Sequence, residues 1–79
     1  MIGERRFMME YIVNFLWDEE TCVWVATGEN IPGLVLESGS FDALLERVKY
    51  AIPELLELNN LPPMKSLTMK SEYHQRMTA

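Results

Sequence analysis

The chain has 79 residues, of which 48% are hydrophobic and 24% charged, with a net charge of −5 and one cysteine, Cys22. This is one domain of a size that buries only about 60% of the surface its unfolded form exposes, with no internal disulfide to compensate. Residues 7 to 60 hold ten acidic and two basic residues, a net of −8, which argues against direct nucleic-acid binding by the core and favours encounter with a basic protein.

Arg5 and Arg6 precede an apolar run, which raises the question of a secretory signal. The run carries Glu10 and Asn14 and has no small-residue cleavage site after it. No stretch reaches the roughly 20 apolar residues of a membrane span. With a lone thiol, the sequence reads as cytoplasmic. Residues 6 to 17, RFMMEYIVNFLW, instead alternate as a strand does. Phe7, Met9, Tyr11, Val13, Phe15 and Trp17 make an apolar face, and Met8, Glu10, Ile12, Asn14 and Leu16 a mixed one.

DEET, residues 18 to 21, is a polar turn, and CVWVATG, residues 22 to 28, is a second strand. The short loop makes the pair an antiparallel hairpin. In ENIPGLVLES, a Pro-Gly pair sits between two apolar residues, Ile31 and Leu34. Pro32 suits the second position of a β-turn and Gly33 the third position of a type II turn. Leu34 to Glu37 then form a short third strand.

Ser40 can cap a helix, and Asp42 lies where the helix dipole favours an acid. Phe41, Leu44, Leu45, Val48, Ile52, Leu55 and Leu56 recur at helical spacing, a stripe wide enough to cover one face of a sheet. Pro53 interrupts the pattern. The sequence allows one kinked helix or a helix ending near Ala51 with a second beginning at Pro53. Asn59 and Asn60 end the helical region. The tail is residues 60–79: after the rigid LPP connector, MKSLTMKSEYHQRMTA alternates weakly at Leu67, Met69 and Tyr73, which suggests a fourth strand.

Chemistry is sparse. The lone His74 has no ligand partner near Cys22, and acidic neighbours disfavour a Cys22 thiolate. Gly28, Gly33 and Gly39 have no phosphate-loop spacing. The residues therefore predict no enzyme, no cofactor and no metal site. A helix on one side of the sheet leaves the other face to Met8, Ile12 and Leu16 or to the Phe15/Trp17 set, together with Trp24. That much apolar surface implies a homodimer or a protein partner.

The pattern Trp17, Asp18, Glu20, then Val23 to Ala26, Asn30 to Glu37, and Ala51 to Asn59 apart from Ile52, resembles the HicB-like antitoxin superfamily. More narrowly, it is similar to a small uncharacterised family within it. The resemblance covers about residues 17 to 59. It implies a single α+β domain over 1–79 of order β-β-β-α-β, similar to a truncated ribonuclease-H-like fold that has lost its catalytic carboxylates. The sheet would be antiparallel-rich, with three or four strands and one helix on one face. Residues 1–6 read as a lead that the pattern does not need.

HicB-like proteins bind a small basic ribonuclease toxin, HicA, and repress their operon through a second, DNA-binding domain. The pattern here includes no such domain. The resemblance thus implies a non-enzymatic interaction module, with Trp17, Asp18, Glu19, Glu20, Trp24 and Glu29 as candidate contacts for a small basic, toxin-like protein. The rival reading is a residual metal-dependent nuclease or hydrolase using Glu10 with Asp18, and a third is a stand-alone dimer whose role lies elsewhere.

Overall fold

A computed structural model describes residues 9–72. The elements run β1 (Met9–Asp18), β2 (Val23–Gly28), β3 (Val35–Ser38), α1 (Phe41–Leu58) and β4 (Met64–Glu72). Among the described residues this is an α+β fold of order β-β-β-α-β with a four-stranded sheet and a single helix. The strand expectation for residues 6–8, the lead 1–6, Tyr73 and His74 lie outside the described residues.

In the sheet the strand order is β3-β2-β1-β4. β1 pairs antiparallel with β2, and β2 antiparallel with β3. The tail strand exists, and it pairs parallel with β1. β3 and β4 are therefore parallel strands on opposite edges, and a parallel return needs a long crossover. α1 is that crossover, which carries the chain from one edge to the other.

The period-2 pattern of β1 is realised. Tyr11, Val13 and Phe15 are buried beneath the helix, while Leu16 is exposed on the other face. They are joined by Ala26 of β2, Ile31 and Leu34 of the loop, and Leu44, Val48, Ile52 and Leu56 of α1. Each fully buried aliphatic or aromatic side chain contributes about 1.5–3 kcal/mol by leaving water.

The helix starts as the sequence indicates. Ser40 adopts extended backbone, and its hydroxyl accepts from the Ala43 N–H at 3.2 Å. It is one continuous helix through Pro53, so the two-helix alternative falls. Lys49, whose carbonyl loses its i+4 partner at Pro53, is exposed, and water can serve that carbonyl. The end is a Schellman motif. Asn60 has φ 51°, its N–H donates to the Glu57 carbonyl at 3.2 Å, and the Leu61 N–H donates to the Leu56 carbonyl at 2.8 Å.

The IPG turn forms as a type II corner. The Leu34 N–H donates to the Ile31 carbonyl at 3.3 Å, and Gly33 has φ 87°. Ile31 and Leu34 are buried, which accounts for two apolar residues flanking a turn. The Asn59 side-chain amide donates to the Leu55 carbonyl at 2.8 Å and the Pro32 carbonyl at 3.4 Å, joining the turn to the helix end.

Two expectations need correction. Cys22 lies outside β2, in the hairpin turn, with φ 57° and an exposed thiol that donates to the Glu19 carbonyl at 3.6 Å. Trp24 sits on the helix side of the sheet, because it pairs directly with Trp17, and directly paired residues share a face.

Candidate partner-binding surface

The hairpin end of the sheet brings together five of the six candidate residues. Trp17 and Trp24 meet edge-on, with ring centroids 5.5 Å apart at 61°. Trp24 in turn stacks edge-on against Phe41 at 5.1 Å, and Phe41 lies 5.0 Å from Phe15. The two tryptophans are half-buried, the outermost members of an aromatic row continuous with the core.

Asp18 ends β1 and shapes the turn. Its Oδ1 accepts from the Glu20 N–H at 3.0 Å and the Thr21 N–H at 3.4 Å, the local bonding that makes Asp favourable in turns. Glu19 and Glu20 are exposed at the tip. Asp18, Glu19 and Glu20 line a shallow depression of about 370 Å³ with Trp17, Leu16 and Val25. Leu16 is 45% exposed there and Val25 half-buried, so the three carboxylates border an apolar floor. The tryptophans alone do not point to Val25, although the alternation in VWVA places it on the opposite face from Trp24.

Glu29 does not join this group. It lies five residues along the chain from Trp24, about 17 Å at strand rise. Its Oε2 accepts from Asn14 Nδ2 at 2.9 Å and lies 3.8 Å from Lys70 Nζ. Glu29 is thus engaged across β1 with the neighbouring strand.

Glu10 and Asp18 stand near opposite ends of β1. Eight residues separate them, about 26 Å in a strand, so one chain cannot hold a single metal ion between them. Among the described residues, no three His, Cys, Asp or Glu side chains gather where they could hold a metal. No helix of the described residues is long and apolar enough to cross a membrane.

Fold and surface together define a small α+β domain with an acidic, aromatic-backed hairpin. The chain belongs to the family described as Domain of unknown function (DUF1902), whose sequence profile matches residues 10–79. A solved structure, hypothetical protein TTHA1013 from the extremely thermophilic bacterium Thermus thermophilus, is similar. It has 31% identity and a TM-score of 0.69, and the match covers 90% of this chain and 100% of that one. No curated protein matches. Neither description names an antitoxin, a toxin or a ribonuclease.

Proposed function

We propose that this chain is a non-enzymatic interaction module that binds a small basic protein through its acidic hairpin, in the manner of a HicB-like antitoxin facing a HicA-type ribonuclease. The observation that carries this reading is the placing of Asp18, Glu19 and Glu20 around Leu16 and Val25, with Trp17 and Trp24 braced behind them. An apolar floor with a charged rim is how interfaces combine affinity with electrostatic steering. The −8 balance of residues 7 to 60 adds a longer-range attraction for a cationic partner. The resemblance of the sequence pattern to HicB-like proteins names the partner class.

A tagged pull-down from the native host at low salt tests this. The expected result is a stoichiometric small basic protein that is released as salt rises. The triple variant Asp18→Asn, Glu19→Gln, Glu20→Gln should lose it, and Asp18→Asn keeps the side-chain oxygen on which the turn depends. Capture that survives both high salt and the triple variant would reject the hairpin as the contact. A chain that recovers no such protein would reject the antitoxin reading.

The nuclease alternative gains nothing from the separation of Glu10 and Asp18, and no second reading is favoured by a specific observation.

A further inference from the structure

We infer that two copies of this chain join through β4, edge to edge and antiparallel, in a continuous sheet centred on Thr68. β4 is nine residues long and lies at the sheet edge, and among the described residues no strand pairs with its outer side. The opposite edge, β3, has only four residues, and Arg47 Nη1 takes up a backbone acceptor there by donating to the Glu37 carbonyl at 2.9 Å. A long unpaired edge is a template for another strand.

The helix also leaves the Met69 part of β4 uncovered, although Leu67 packs against the core. Met69 pairs with Val13 on the helix side, yet Val13 is 0% exposed and Met69 47%. A second copy would cover that apolar strip.

The strand is self-complementary about Thr68. A two-fold axis there sets Leu67 opposite the second copy's Met69 and Thr68 opposite Thr68. It sets Ser66 opposite Lys70, so no like charges face one another. Lys70 already leans inward, 3.8 Å from Glu29. Charge selects this edge as well. Residues 7 to 60 carry a net of −8, while β4 holds Lys65 and Lys70 against Glu72, so two acidic bodies meet with least repulsion along β4. The occupant follows from backbone pairing and this register, independently of the hairpin and its partner.

The test is sedimentation velocity on the full chain over a concentration series, with circular dichroism to verify folding. The expected result is a dimer that Thr68→Lys weakens about tenfold or more, since that change sets two lysines face to face on an already exposed site. In a Cys22→Ser background, Thr68→Cys should form an intermolecular disulfide under mild oxidation. A wild-type chain that stays monomeric at hundreds of micromolar would overturn the inference. So would a dimer indifferent to Thr68→Lys and not cross-linked at position 68, which would place the contact elsewhere.

Discussion

The side-chain amide of Asn30 takes the place of a peptide group beside Ile12. Its Oδ1 accepts from the Ile12 N–H at 3.1 Å, and its Nδ2 donates to the Glu10 carbonyl at 2.9 Å. The β1–β2 ladder ends with the Glu29 N–H donating to the Ile12 carbonyl at 3.0 Å, after which the backbone turns away toward Pro32. Asn30 extends the ladder by one more rung from its side chain. A side-chain amide presents a donor and an acceptor on separate atoms, as a peptide group does. Asn30→Asp keeps the acceptor and loses the donor, and should cost about 1 kcal/mol. Asn30→Ala leaves both strand groups without this partner and should cost about 2 kcal/mol. Urea unfolding of the purified variants measures both.

Gly28 is required by a close approach. A Cβ at this position would stand 2.8 Å from the Ile31 Cβ and 3.1 Å from the Ile31 carbonyl oxygen. Ile31 is buried in the core and cannot yield without disturbing it. Gly28→Ala should therefore destabilise by about 1–3 kcal/mol. In a domain of this size that corresponds to a melting temperature lower by about 4–8 °C per kcal/mol, readable by calorimetry.

At the helix end, Asn60 holds φ 51°. Asn tolerates this region better than other non-glycine residues, and Ala does not. Asn60→Ala should cost about 1 kcal/mol, whereas Asn60→Gly should fall within about 0.5 kcal/mol of the parent. Equal losses for both variants in chemical denaturation would show that the asparagine side chain, rather than the backbone angle, matters there.

Tyr11 ties the core to the connector before β4. It is fully buried, and its hydroxyl donates to the Pro62 carbonyl at 2.6 Å. The Met9 N–H donates to the Pro63 carbonyl at 3.0 Å alongside it. Tyr11→Phe retains the packing and removes the bond, so a loss of about 1 kcal/mol is expected. Hydrogen exchange adds a local readout. Amides of β4 should exchange faster relative to those of β2 in this variant, because its effect falls on the connector.

Local chemistry makes most of the elements legible. The alternation of Tyr11, Val13 and Phe15 marks β1 but leaves open which of its faces the helix covers, the Leu44, Val48, Ile52 and Leu56 stripe marks the covering helix, and Pro32-Gly33 marks the corner. The hairpin cluster is legible in part. Asp18, Glu19 and Glu20 are contiguous, so any turn keeps them together. Trp24 lies on the face opposite to the one the sequence suggests, because a side chain's face follows from its pairing, here with Trp17, and turn length alone leaves that register open. Charge groups Glu29 with the hairpin acids, although strand rise carries it to the other end of β2 and sets it against Asn14 and Lys70.

The sequence by itself determined the order of elements, the apolar stripe of the helix and the acidity of the body. These depend on residue type and on spacing within a few positions along the chain. Only the tertiary structure decided that β4 runs parallel to β1 at the edge of the described sheet, that Asn30 completes a ladder with Ile12, and that Asn59 meets the Pro32 carbonyl. Those contacts join residues from 18 positions apart, as in Ile12 and Asn30, to 56 apart, as in Ile12 and Thr68. No local preference encodes such pairs: the Ile12–Asn30 contact forms when the β1–β2 hairpin closes, and the β1–β4 and Asn59–Pro32 contacts form only once the helix has carried the chain across the sheet.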